Sequence, residues 1–230
     1  MSAPVPALRA LVFDAYGTLF DVHTVAALCE TLWPGKGEAI TRAWRAKQLE
    51  YTWQRSLMRR YQDFKRVTEA GLRYACAAAG APLADDQLRR LMDAYLELSP
   101  FPDAREAIAA LKQRKLRLAI LSNGSPAMLR PLVKNAGLRE MFHAVLSVDE
   151  LEMYKPAPAV YRLAVEKLEL PKGAIGFVSS NCWDACGAKS FGFRTFWVNR
   201  AGAPLDDLGA APDHVIATLA ELPPLVAAGA

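Results

Sequence analysis

Asp14 ends the apolar run Ala10–Phe13 and opens the turn Ala15-Tyr16-Gly17-Thr18. An aspartate there either caps the turn through its own backbone amides or serves as a carboxylate nucleophile or base. Three more polar clusters hold comparable positions. Ser122-Asn123-Gly124 follows the run Leu116–Leu121, and Lys155-Pro156 follows Asp149-Glu150-Leu151-Glu152. Ser179-Ser180-Asn181-Cys182-Trp183-Asp184 closes the run that starts at Ile175. Each has a plain explanation alone: a lysine before proline, for instance, is usually a solvated loop charge. Four clusters at strand ends or in the loops that follow point instead to one convergent pocket.

The elements that must position these residues follow from the hydrophobic pattern. Strands are expected at Ala10–Phe13, Leu116–Leu121, Ala144–Val148, Ile175–Ser179, Thr195–Val198 and His214–Ile216. Runs apolar nearly throughout suit strands covered on both faces, hence a parallel sheet with helices on either side. Helical patterns separate them at Asp103–Arg114, Pro126–Ala136, Pro158–Leu168, Asp184–Phe191 and from Thr218 onward, a βαβ alternation. The stretch from Asp21 to Leu98 breaks the rule. It shows only helical periodicity, at Ala39–Leu57, Tyr61–Ala79 and Asp85–Leu96, with breaks at Gly80-Ala81-Pro82 and Ser99-Pro100-Phe101-Pro102. The expectation is an α/β, Rossmann-like doubly wound core of residues 1–20 and 99–230, with a helical cap of residues 21–98 inserted after the first strand. In such sheets ligands bind beyond the carboxyl ends of the strands, so an insert leaving just after Asp14 would lie over that edge as a lid.

Composition narrows the classes. The chain has 230 residues, 52% hydrophobic and 23% charged, enough for a sizeable core. A net charge of +4 from 28 basic and 24 acidic residues is too weak and mixed for nucleic-acid binding. Four cysteines without a CxxC pair, and only three histidines, argue against a zinc site. His23, His143 and His214 receive no role, and Cys182 and Cys186, four apart, read as packing. No disulfide framework is evident, so a reducing compartment fits. The apolar stretch Leu8–Phe13 is broken by Arg9 and too short for a signal core or a span. A cytoplasmic protein with neither membrane nor nucleic-acid partners is expected.

The order Asp14…Thr18, Ser122-Asn123, Lys155-Pro156 and a motif ending in Asp184 resembles the haloacid dehalogenase superfamily of aspartate-nucleophile hydrolases, over essentially the whole chain. Two departures select the subgroup. Phosphatases of that superfamily usually carry a second acid where Tyr16 stands, and another where Ser180 stands. A Mg²⁺ site wants carboxylate oxygens, and phosphoryl transfer needs cationic stabilisation. Both departures, together with Asp14–Asp21, the stretch Trp44-Arg45-Ala46-Lys47-Gln48-Leu49-Glu50-Tyr51-Thr52-Trp53 and Ser-Ser-Asn-Cys-Trp-Asp at 179–184, are similar to the L-2-haloacid dehalogenases.

That resemblance implies metal-free, cofactor-free displacement of halide from small L-2-haloacids. Asp14 would form an ester, then water would release the inverted 2-hydroxy acid. Lys155 would keep Asp14 ionised. Arg45 and Asn123 would receive the halide, and Ser122 with the backbone amides of Ala15 and Tyr16 would hold the substrate carboxylate. Thr18 and Ser179 would orient Asp14, while Asn181 and Asp184 would place the hydrolytic water, with Lys155 sharing that task. Tyr16, Leu49, Phe64 and Trp183 would wall the pocket. The partners implied are the 2-haloacid anion, the halide and a second copy of the chain in a homodimer. The alternatives are a Mg²⁺-dependent phosphatase of the same superfamily, a hydrolase displacing another leaving group at an α-carbon, and a scaffold without activity.

Overall fold

A computed structural model describes residues 7–226. Its sheet begins with β1 (Ala10–Phe13), all four residues of which are inaccessible to solvent. Five helices separate it from the next strand, the first four being α1 (Thr24–Leu32), α2 (Gly37–Leu57), α3 (Phe64–Ala78) and α4 (Asp85–Ala94). After α5 (Ala104–Gln113) the chain alternates as β2 (Arg117–Ser122), α6 (Pro126–Asn135), β3 (Ala144–Ser147), α7 (Pro158–Leu168), β4 (Ile175–Ser179), α8 (Cys182–Phe191), β5 (Arg194–Val198) and β6 (His214–Ile216). A single turn, α9 (Leu222–Leu225), ends the described residues.

All strand pairs are parallel and the order is β3-β2-β1-β4-β5-β6. The chain builds outward from β1 through β2 to β3, then crosses to β4 and builds the other way. β1 and β4 therefore flank the point where the winding reverses, and loops leaving their carboxyl ends diverge to leave a crevice. Asp14 sits at that point, its backbone N–H bonded to Val178 O at 2.9 Å. The turn after it needs Gly17, whose φ of +88° is the left-handed region that a side chain resists.

Beyond shifts of one to three residues at the ends of other elements, three elements differ from the periodicity reading. α1 is additional, because its short pattern lacks a polar face distinct enough to read. α8 begins at Cys182 rather than Asp184, which puts Asp184 in the first turn of the helix. The helix expected from Thr218 is a 3₁₀ turn at Leu219–Glu221 followed by one α turn, since Pro223 and Pro224 withhold two backbone donors.

The connections into and out of the four helices run side by side. Asp21 N donates to Ser99 O at 2.9 Å and Phe101 N to Leu19 O at 2.9 Å. The helices pack chiefly on one another, α2 along α3 and α1 along α2, and a row of aromatic residues (Trp44, Phe64, Tyr95) meets Tyr16 of the β1 loop. Among the described residues no helix is long and apolar enough to cross a membrane.

Candidate active site

The Asp14 carboxylate is 5% exposed and receives three donors. Lys155 Nζ lies 3.0 Å from Oδ1; Thr18 Oγ1 at 3.1 Å and Asn181 Nδ2 at 3.0 Å donate to Oδ2. Thr18 comes from the same loop, Lys155 from the segment after β3, and Asn181 caps α8, so three chain segments converge on one carboxylate.

Lys155 is 1% exposed and bonds a second carboxylate, Asp184 Oδ2, also at 3.0 Å. Burial alone would lower its pKa, but Asp14 and Asp184 outweigh that and hold it above the ordinary lysine value. The ammonium also stands 4.9 Å from the centre of the Phe177 ring, a further favourable contact. Asp184 is fully buried. Burial, reinforced by Asp14 and partly offset by Lys155, pushes its carboxyl up to about 6. Removing one member of such a buried set strands the others, typically at a cost of roughly 3–5 kcal/mol.

Tyr161 of α7 was invisible in the sequence as a site residue. Its hydroxyl donates to Asp184 Oδ1 at 2.8 Å, and burial beside that acid keeps the phenol protonated, well above its usual pKa. The only signal was a tyrosine at an apolar position of an amphipathic helix, and that pattern cannot say what the hydroxyl meets. Ser180 was also read only as a missing acid. Its backbone N–H donates to Thr18 Oγ1 at 2.8 Å and its hydroxyl lies 3.3 Å from the same oxygen, fixing the side chain that orients Asp14.

The remaining expected residues fall into place unevenly. Arg45 of α2 crosses to the core, donating from Nη2 to Asn181 Oδ1 at 3.2 Å. Asn123 uses Oδ1 to accept the Lys155 backbone N–H at 3.1 Å. Ser122 is buried, its Oγ accepting the Gly124 N–H at 3.0 Å. Ser179 does not bond Asp14. Its Oγ accepts the Asn181 N–H at 3.1 Å, so it bears on Asp14 through Asn181. Ala15 and Tyr16 are buried, and the Tyr16 ring packs on Phe64 at 5.4 Å and Tyr95 at 6.1 Å. Trp183 is half-buried, edge-on to Trp53 of α2 at 5.4 Å. Leu49, also half-buried, follows Gln48 on α2 and has no bond to the core residues around Asp14. A cavity of about 450 Å³ opens beside the site, with Gly17, Arg45, Ser180, Asn181 and Cys182 in its wall.

The donor set does not fit Mg²⁺. The two carboxylates present are both bonded to one ammonium, and the Ser180 hydroxyl is 3.3 Å from Thr18. Among the described residues no group of three His, Cys, Asp or Glu is placed to hold an ion.

A parallel sheet with this order, a buried aspartate at its reversal point and a lysine bridging it to a second acid define an α/β hydrolase with a carboxylate at its centre. The sequence pattern of the haloacid dehalogenase-like hydrolases matches residues 8–192, and the chain belongs to that family. It is 49% identical over 212 residues to a (S)-2-haloacid dehalogenase of Pseudomonas sp. (strain YL), covering 92% of this chain and 91% of the other. A crystal structure of an L-2-haloacid dehalogenase superposes with a TM-score of 0.94 at 48% identity, covering 96% of this chain and 99% of that one. The L-2-haloacid dehalogenase of Xanthobacter autotrophicus, solved with chloropropionic acid covalently bound, superposes with a TM-score of 0.89 at 43% identity, covering 95% and 98%.

Proposed function

We propose that this chain hydrolyses small L-2-haloacids to 2-hydroxy acids of inverted configuration, through an ester on Asp14 and without a metal. The observation that carries the reading is the buried carboxylate of Asp14, held and oriented by hydrogen bonds from Lys155, Thr18 and Asn181. The family resemblance supplies the leaving group, and the covalent adduct in the Xanthobacter autotrophicus relative supports an ester.

In the first step an Asp14 oxygen attacks the α-carbon opposite the carbon–halogen bond, and the bonding pair leaves with the halide. Since the halide is a stable anion, it needs no proton and no Lewis acid. Arg45, with Asn123, receives it; Ser122 and the Ala15 and Tyr16 amides hold the substrate carboxylate; Tyr16, Leu49, Phe64 and Trp183 keep water out. In the second step water adds to the Asp14 carbonyl carbon and the hydroxy acid departs with the original carboxylate oxygen. Asn181 places that water. Asp184, with its carboxyl raised to about 6, takes its proton, because a base whose pKa lies near the working pH is both available and strong enough. Ser179 acts through Asn181.

The helices of residues 21–98 serve as a cap over a core of residues 1–20 and 99–230, the paired connections at Asp21–Ser99 and Leu19–Phe101 being where such a cap would be hinged. The four cysteines are free thiols, which suits a cytoplasmic place. A homodimer belongs to the same reading, and the exposed Leu57 and Met58 at the end of α2 suit its interface.

The decisive experiment is a single turnover in ¹⁸O water with enzyme in excess. Solvent oxygen should appear on the Asp14 peptide and be nearly absent from the product hydroxyl. Label in the hydroxy acid and none on the protein would mean direct attack by water with Asp14 as base, and would overturn the ester.

A further inference from the structure

Gln48 lies on α2 nearly one turn beyond Arg45 and is inaccessible to solvent. A buried amide has to place both its ends. The Thr68 hydroxyl donates to Phe64 O at 2.6 Å, so its proton is spent and its oxygen can only accept. It accepts from Gln48 Nε2 at 2.7 Å. That determines which way the amide points: its carbonyl end faces Arg45 and accepts from Nη1 at 2.7 Å. The bond from Arg45 Nη2 to Asn181, and from Asn181 to Asp14, completes a line from α3 to the nucleophile.

The anchor of that line is rigid. Trp44 Nε1 donates to Thr68 O at 2.7 Å, and α3 approaches α2 so closely at Gly71 that an added Cβ would stand 3.2 Å from Gln48 N and from Trp44 Cδ1. Thr68 therefore presents its oxygen to Gln48 from an immobile helix face.

The neighbouring cations of α2 are held differently. Arg42 pairs with Glu38, and Lys47 with Glu50 at 2.8 Å. The two bonds of Arg45 described above go to amide oxygens, Gln48 Oε1 and Asn181 Oδ1, which orient the guanidinium without cancelling its charge. We propose that Gln48 is a positioning residue that aims Arg45 at the anions of the reaction while leaving its positive charge available to them. A carboxylate in its place would grip Arg45 more firmly and neutralise it. This rests on the anion-receiving role of Arg45 in the dehalogenase reading.

The test compares the full-length wild type with Gln48→Glu, Gln48→Met and Thr68→Val, using L-2-chloropropionate turnover, bromide as a competitive inhibitor, and melting temperature. Gln48→Glu should raise the bromide inhibition constant about tenfold or more, well beyond what its fall in melting temperature accounts for, because Arg45 gains a carboxylate that cancels its charge while Thr68 loses the N–H it accepted. Gln48→Met should lower kcat by roughly tenfold with a smaller change in KM, because the charge remains but its aim is lost. Thr68→Val should change kcat in the same direction and by less. Bromide inhibition and kcat within twofold of wild type in Gln48→Glu would overturn the proposal, as would losses in all three variants that merely follow their unfolded fraction. If the wild type releases no halide, the dehalogenase reading fails by itself. Bromide titration of the resting protein, followed by tryptophan fluorescence, then still decides the role of Gln48: weaker binding in Gln48→Glu supports it and equal binding overturns it.

Discussion

The core and the helical insert contribute to the site in opposite ways. The core supplies a closed ionic set, Asp14, Lys155 and Asp184, with side chains 8% exposed or less, in which every charge has an opposite partner at 3.0 Å. The insert supplies one guanidinium held by neutral amides and a wall of aromatic rings. Charges that must remain ionised while buried are paired, since desolvation would otherwise neutralise them. A charge that must capture an anion is better left uncompensated. On the proposed reading, bond making belongs to the carboxyl ends of the strands, and anion capture and exclusion of water to the insert.

The largest effect expected follows from the core side. Asp14→Asn should lower turnover by on the order of 10⁴-fold or more, as removal of a covalent nucleophile does, with the fold intact by circular dichroism. Substantial halide release from a freshly purified variant, shown by mass to be free of deamidation, would remove the core from its place in the comparison.

A middle effect sharpens it. The proposed second step needs Asp184 ionised, so activity should fall as pH drops below about 6. The Tyr161 hydrogen bond lowers that value, because it stabilises the carboxylate. Tyr161→Phe should therefore move the acid limb of the kcat profile upward by about one pH unit, the equivalent of a hydrogen bond to a charged group, with about a twofold loss at pH 7 that deepens toward pH 6. An unmoved limb in a folded variant would separate Asp184 from the proton transfer.

The smallest effect expected is none. Halide release should continue unchanged in EDTA, because the cation between the two core carboxylates is the ammonium of Lys155. Loss of activity on chelation, restored by Mg²⁺, would favour the phosphatase alternative and would mean that the Tyr16 and Ser180 departures do not carry the weight placed on them.

What the sequence by itself determined is the part governed by local periodicity and chain order. The apolar runs of β1 and β4 carry the bounds expected of them, because strands buried on both faces leave no ambiguity of face, and those of the edge strand β6 also agree although Val215 is exposed. The strand-end clusters at Asp14, Ser122 and Ser179 were legible because several polar clusters end apolar runs at the same edge of one sheet, although any one alone could be a turn cap. Tertiary structure alone decided which polar groups meet. That Tyr161 reaches Asp184, that Ser179 acts on Asn181 rather than Asp14, and that Gln48 rather than a carboxylate holds Arg45 are contacts between residues on separate elements or different turns. Helical periodicity assigns such residues to a face, but the partner on that face is set by how α2 packs on α3 and α7 against α8. A hydrogen bond depends on tenths of an ångström across that packing, and residue types spaced along one chain do not encode it.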